Sequence, residues 1–426
     1  MQNTPFTRRL FLQRGCALAS LAATVPCFIE RSALGVLGNP LLSSNPGVPD
    51  HRILVVVQLG GGNDGLNTVI PYGDPAYFNA RPQIAVQAPG GTGNTVALQL
   101  DQNAGIGLHP AMAQLKELYD EGLVSVVQGV GYPNPNRSHF TSMDIWQTGR
   151  LDAKGSGWIG RYFDATCNGT PIPEGSVAVG RTAPLAMEGN IQKPISFENP
   201  ALFRWLGEDL HVSMKEPYDA INRAGSLAGT PAETQKDFLM RTALDAQVAS
   251  GRILAAVAKQ PLVRYPDHAL ARQLRTVGAM IRDGMPTRVY YATMGGFDTH
   301  SGQAGRHGQL LRQVSESVAA FQRDLKEQGN AERVVTLVFS EFGRRVKQNG
   351  SGGTDHGTAA PVFVIGAGVK PGVVGRHPSL VDLDQGDLKF GVDFRSVYAS
   401  LLGDWMKAPA DQILRGQFAS AGVVRA

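Results

Sequence analysis

The chain reads as an α/β fold, doubly wound around a largely parallel central sheet, with a helical insertion or cap. Three observations predict this. Residues 54–59 are apolar or β-branched at five of six positions and run into Gly60-Gly61-Gly62, the pattern of a strand covered on both faces. Strand-like and helix-like segments alternate from there to about residue 402. Acids and histidines then recur in the loops that follow the apolar runs, at the carboxyl edge where such sheets bind ligands.

The first 35 residues read as an export signal. Arg8-Arg9 with Phe11 two places on is followed by an apolar stretch over 16–29, shorter than the ~20 residues a bilayer helix needs. The paired arginines point to the twin-arginine machinery as a partner, and no stable membrane span is expected. Ala33-Leu34-Gly35 is the best small-residue cleavage site. Cys16 and Cys27 leave with the signal, so Cys167 has no partner for an internal disulfide. Residues 36–50 read as a tether, and 51–426 as one α/β domain with an insertion at about 170–285. Four arginines and one glutamate also depart with residues 1–35, taking the net charge from +4 to +1. No basic tail remains, which argues against nucleic acid as a partner.

The elements follow in order. Gly60-x-Gly62-x-x-Gly65 has the letters of a dinucleotide fingerprint but lacks its helix, since residues 66–70 are rich in β-branched side chains and stop at Pro71. Asp64, inside that loop, suits a cation better than a pyrophosphate. An irregular stretch to Gly107 is expected to hold a hairpin around Pro89-Gly90-Gly91. The apolar spacing predicts a helix over 109–119 and a strand over 123–127. The stiff loop 131–137 leads to Ser138, with helices over 139–148 and 158–165. Short strands are expected at 176–179 and 185–187, then a long helix over 232–259. A strand at 289–293, a helix at 305–328, strands at 333–340 and 361–365, and a helix at 394–402 complete the alternation.

Four places share one grammar of apolar strand followed by acid or histidine. They are Asp64, Asp298-Thr299-His300, Glu341 with Arg344, and Asp355-His356. Oxygen and imidazole ligands without thiolate suit a divalent metal, Zn, Mn, Mg or Ca. Each also has a plainer reading: Asp64 as a turn cap, Glu341 paired to Arg344, Asp355-His356 as a hydrogen-bonded turn. Ser138 is placed either as an ordinary helix cap or as a nucleophile at a helix start, with His139 beside it and Arg137 or Arg344 to bind oxyanions. There is no G-x-S-x-G elbow. Cys167 lacks the proline and arginine that accompany a sulfatase cysteine.

Gly60 to Asn67, Ser138-His139-Phe140, Gly157 to Arg161, Phe297 to His300, Ser340 to Arg344 and Thr354 to Gly357 together resemble the exported family called domain of unknown function 1501, over about residues 52–405. That family in turn resembles the alkaline phosphatase and sulfatase superfamily, which implies an α/β sandwich with metals at the strand ends. The resemblance implies Asp64 as the first-strand ligand, Ser138 at the nucleophile position, Asp298 and His300 as a ligand pair, and Asp355 with His356 as the late pair. Glu341 stands where the superfamily commonly has Asp-His. The leading expectation is a periplasmic metal-dependent hydrolase of phosphate or sulfate esters, acting on a small-molecule or polymer ester. The alternatives are a non-catalytic binding or assembly protein on the same fold, and a nucleotide-cofactor oxidoreductase, which the interrupted fingerprint disfavours.

Overall fold

Strand β1 (Ile53–Leu59) divides its side chains between two cores: Ile53, Val55, Val57 and Leu59 pack into one, Leu54 and Val56 into the other. That division is why the run is apolar throughout rather than alternating. The computed structural model describes residues 52–91, 95–167, 174–200, 216 and 249–425. The export signal and tether expected over 1–50 lie outside the described residues, as does most of the helix expected over 232–259, of which 249–257 is helical.

Beyond β1 come β2 (Val69–Ile70), β3 (Leu98–Asp101), β4 (Ile106–Leu108), β5 (Val124–Gly131), β6 (Ser176–Val179), β7 (Ile195–Phe197), β8 (Val289–Met294), β9 (Val334–Ser340), β10 (Ala360–Ile365), β11 (Gly372–Val374), β12 (Leu383–Asp384), β13 (Asp387–Leu388) and β14 (Val392–Asp393). The main sheet has nine strands in the order β11-β5-β10-β9-β1-β8-β6-β7, with β14 also on β5. All its pairings are parallel except the two made by β10. The expected doubly wound, largely parallel sheet is therefore present. β10 reverses because residues 341–359 fold back on themselves instead of crossing over through a helix.

Helices cover both faces. On one side lie α2 (Ala113–Asp120), α5 (Ala269–Arg282) and α6 (Gln303–Glu327), which contribute Leu118, Leu274 and Val318 among others. On the other lie α3 (His139–Thr148), α4 (Trp158–Thr166) and α7 (Phe394–Ala399), with Tyr398 stacked on Trp158 and edge-on to Trp146. The short α1 (Pro75–Ala80) precedes them in the chain. Among the described residues no helix is long and apolar enough to cross a membrane.

Several elements depart from the sequence expectations. Leu185–Met187 is a 3₁₀ turn, not a strand, because its carbonyls press onto Gly157 of α4, where a Cβ would sit 2.0 Å from the Leu185 oxygen. The helix expected over 109–119 starts as a 3₁₀ turn at Pro110, capped by His109 Nδ1 accepting from the Ala111 amide, before α2 begins. The last helix is cut at Ala399, where a π turn over Ser400–Trp405 follows. The stretch read as irregular before Gly107 holds the three-stranded sheet β2-β4-β3.

Candidate functional site

The carboxyl ends of three adjacent parallel strands, β8, β1 and β9, carry three loops that close on one another. Gly61, after β1, has φ +117°, and a Cβ there would lie 2.5 Å from the Asp298 amide of the β8 loop, so only glycine lets the loops approach. The β9 loop runs out and back as a ladder, with Arg345 N–H donating to Asp355 O and Gly357 N–H to Gly343 O. That return sets His356 beside Arg344. The start of α3 brings in His139.

Three imidazoles converge on one carboxylate oxygen. Asp298 Oδ1 lies 2.9 Å from His300 Nε2, 3.2 Å from His356 Nε2 and 3.6 Å from His139 Nε2. His139, Asp298 and His356 hold their ligand atoms within 4.8 Å of one another, close enough to share one ion. In each ring the other nitrogen faces an oxygen: His139 Nδ1 to Glu341 Oε1 at 2.8 Å, His300 Nδ1 to Asp355 Oδ1 at 3.2 Å, and His356 Nδ1 to the Arg137 carbonyl at 2.9 Å. Carbonyl and carboxylate oxygens only accept, so a proton on Nδ1 satisfies each of these contacts and turns Nε2 toward Asp298. His300 Nε2 also lies 3.0 Å from His356 Nε2 and 3.5 Å from Arg344 Nη1. His139 Nε2 is buried without a hydrogen-bond partner. Phe342 packs at 4.9 Å from the His139 ring and 5.0 Å from that of His356, fixing both planes.

The remaining groups orient these four. Glu341 is buried; Oε1 also accepts from the Gly61 amide at 2.8 Å, and Oε2 from the Ser340 hydroxyl at 3.0 Å. Arg344 is buried and clamps the loops, donating to the carbonyls of Gly62 at 2.7 Å, Thr354 at 2.9 Å and Phe297 at 3.1 Å, and to Asp298 Oδ1 at 2.6 Å. Desolvation pushes the Asp298 carboxyl up, but Arg344, through its hydrogen bond and its charge, outweighs it and holds it at about 2. Asp355 is likewise held low, first by the Asn349 amide and against some desolvation.

Asp64 is not brought to this cluster. It is fully buried, 2.5 Å from Arg81 Nη1, and Gln303 Nε2 donates to the same oxygen. The cation beside it is a guanidinium. The glycine loop runs on into a 3₁₀ turn (Gly65–Asn67) and then β2, so no α-helix opens where a pyrophosphate would need one. Ser138 is exposed at the N-cap of α3 and makes no side-chain cap hydrogen bond, while its amide donates to Asn136 Oδ1 at 2.8 Å. Arg137 gives Nε and Nη2 to the buried Asp387. Neither Arg137 nor Arg344 is thus an uncommitted oxyanion binder. Sequence reasoning missed Arg81 and Gln303, which fall in no recognisable motif, one before a proline in irregular chain and the other as an ordinary helix-starting residue.

A shallow cleft of about 420 Å³ opens over the cluster, lined by Gly61, His139, Phe140, Asp144, Asp298 and Glu341 among others. A second depression of about 530 Å³ shares Glu341 and reaches Arg137, Tyr132 and Phe390.

Among solved structures, the chain is similar to Ps i-CgsB in complex with k-i-k-neocarrahexaose, with a TM-score of 0.41 at 10% identity over 87% of this chain and 75% of that one. It is similar to the sulfatase PsFucS1 from Pseudoalteromonas sp., with a TM-score of 0.35 at 10% identity over 97% and 77%. A protein in the alkaline phosphatase superfamily from Vibrio parahaemolyticus gives 0.30 at 10% identity over 86% and 71%. The search of curated proteins finds no match. Residues 51–415 match the family described as protein of unknown function DUF1501, and the chain belongs to that family.

Proposed function

We propose that this protein is an exported, metal-dependent hydrolase of phosphate or sulfate esters. The observation that carries the proposal is a convergence: three imidazoles, each with Nδ1 facing an oxygen, direct Nε2 at Asp298 Oδ1. Outer oxygens of this kind are how proteins orient metal-binding histidines. His139, His300, His356 and Asp298 would hold the ion, and a set of three imidazoles with one carboxylate suits Zn or Mn better than Mg or Ca. When bound, such an ion polarises an ester oxygen and raises the acidity of a nearby hydroxyl or water. Arg344 takes one lone pair of Asp298 Oδ1 and leaves the others for the ion. Glu341 and Asp355 hold their histidines in place through Nδ1. Ser138 is the proposed nucleophile: the Arg137 carbonyl next to it accepts from His356, and it caps α3, whose first amides suit an incoming oxyanion.

Elemental analysis of the purified protein should find about one divalent ion per chain, lost in Asp298→Ala and His356→Ala. Ser138→Ala should keep the metal and lose turnover across a panel of phosphate and sulfate esters. Equal metal content in all variants removes the centre. Turnover by Ser138→Ala at the wild-type rate removes the nucleophile. A binding protein is the second reading, favoured by the engagement of both nearby arginines, and a metal-loaded protein that hydrolyses no ester would establish it. Export rests on Arg8-Arg9 before Phe11. Changing both arginines to lysine should retain precursor in the cytoplasm, and normal accumulation outside it would refute that route.

A further inference from the structure

The charge around the cluster limits which esters it takes. Three carboxylates, Asp298, Glu341 and Asp355, stand against the buried guanidinium of Arg344, while Arg345, which also acts on Asp355, is paired with Asp387. A divalent ion brings that group to neutrality. The cleft above adds Asp144, and its lining holds three acids and no lysine or arginine. No ion pair is formed by Asp144 among the described residues, and it is only partly buried. Arg137, whose carbonyl accepts from His356, is committed through its guanidinium to the buried Asp387. On the same lip Phe140 is 85% exposed, with Met143 beside it in the lining. Together the two offer an apolar face at the rim of an otherwise polar cleft.

Resting on the metal-centred hydrolase reading, we propose that the site accepts singly charged tetrahedral esters with an apolar substituent, phosphodiesters or sulfate monoesters, and discriminates against dianionic phosphate monoesters. A monoanion leaves the loaded site close to the charge it already has. A dianion adds one further negative charge to a cleft lined by Asp144, Asp298 and Glu341.

A matched pair of inert probes reads this without turnover. Phenylphosphonate, at a pH where it is fully dianionic, and its monomethyl ester differ by one charge and share the phenyl group. Calorimetry on the metal-loaded protein should show the monomethyl ester binding about tenfold or more tightly. Asp144→Asn should narrow that gap to a few-fold, and so should raised salt on the wild type, which screens the repulsion without any substitution. Phe140→Ala should weaken the phenyl probe several-fold and leave dimethyl phosphate unchanged. Equal or tighter binding of the dianion, or a gap that neither Asp144→Asn nor salt alters, overturns the proposal. Substrate assays divide the two admitted classes, bis-aryl phosphate reporting the diester and aryl sulfate the sulfate ester, and preference for aryl phosphate over both also overturns it. A protein that takes up no metal and cleaves no ester instead strikes the reading beneath, so the two failures are distinguishable.

Discussion

Gln303 joins the two ligand-bearing loops through a single amide. Its Oε1 accepts from the Thr354 hydroxyl at 2.6 Å and the Thr299 hydroxyl at 3.1 Å, and its Nε2 donates to Asp64. Thr299 lies between Asp298 and His300, and Thr354 directly precedes Asp355 and His356. Because an ionised carboxylate only accepts, Asp64 dictates which way the Gln303 amide faces and so leaves its oxygen for the two threonines. Asp64 is in turn kept ionised against full burial by Arg81, whose other donors go to Asn67 Oδ1 at 2.8 Å, Val346 O at 2.9 Å and Arg345 O at 2.7 Å. Asp64 and Gln303 are therefore positioning residues one layer behind the candidate ligands. Gln303→Leu should lower metal affinity by about tenfold or more, the usual cost of losing outer support. Cobalt substitution would show a changed visible spectrum if the ligand geometry loosens, which a generally less stable fold would not produce. Asp64→Ala leaves the Arg81 charge buried and unpaired, and should cost about 3–5 kcal/mol in urea unfolding. Unchanged metal affinity in Gln303→Leu would refute the positioning role, and a loss under 1 kcal/mol in Asp64→Ala would refute the buried pair.

At the scale of elements, what the sequence made legible followed from burial on one or two sides. β1 is recognisable because a strand covered on both faces must be apolar throughout, and α6 because one face repeats its apolar residues against α5 and the sheet. Asp298, His300 and Glu341 were visible for a related reason: polar groups soon after such strands lie at the carboxyl edge, whereas His356 reaches it on the returning arm of the β9 loop, just before β10. Other features depend on partners distant in the chain. The reversal of β10 is decided by the ladder inside residues 341–357, and nothing in the apolar run of β10 itself encodes direction. The sheet β2-β4-β3 is built of strands of two to four residues, too short to show a period. The Asp64 loop position looked the same for a ligand as for a buried ion pair, because Arg81 sits in an unpatterned stretch and its distance from Asp64 is set only by the packing of α1. The sequence places His139 only as the neighbour of Ser138. Its proximity to Asp298 arises from the angle at which α3 meets the sheet, which periodicity does not carry.

For the whole molecule, the interior beneath the glycine loop sets a limit on acid stability. His307 is fully buried, with Nε2 at 2.9 Å from Asn63 Oδ1, and the His109 ring lies 6.1 Å away. Burial is the main reason the His307 ring is pushed down to about 3; Asp64 opposes the shift, and His109, Arg81 and Arg344 add to it. Burial likewise pushes His109 down to about 4, with Asp64 opposing and Arg312 adding. In the unfolded chain both rings titrate near 6.5. Between that value and the folded ones the unfolded state binds more protons, so stability must fall as pH falls. The stability these neutral rings provide is complete above pH 6.5 and is lost progressively from there toward pH 4, at up to about 1.4 kcal/mol per pH unit for each ring. Asp64, depressed in the folded state despite its burial, adds to the loss only below its ordinary value of 3.8. Urea unfolding between pH 7.5 and 4.5 should therefore show a midpoint that is flat at the top of the range and declines below pH 6.5, well before carboxylates begin to titrate. His109→Gln and His307→Gln each remove one titrating ring, and whichever variant folds should show a shallower decline whatever its stability at neutral pH. A midpoint that stays level down to pH 5, or declines as steeply in both variants as in wild type, would show that these buried rings do not govern the acid limit.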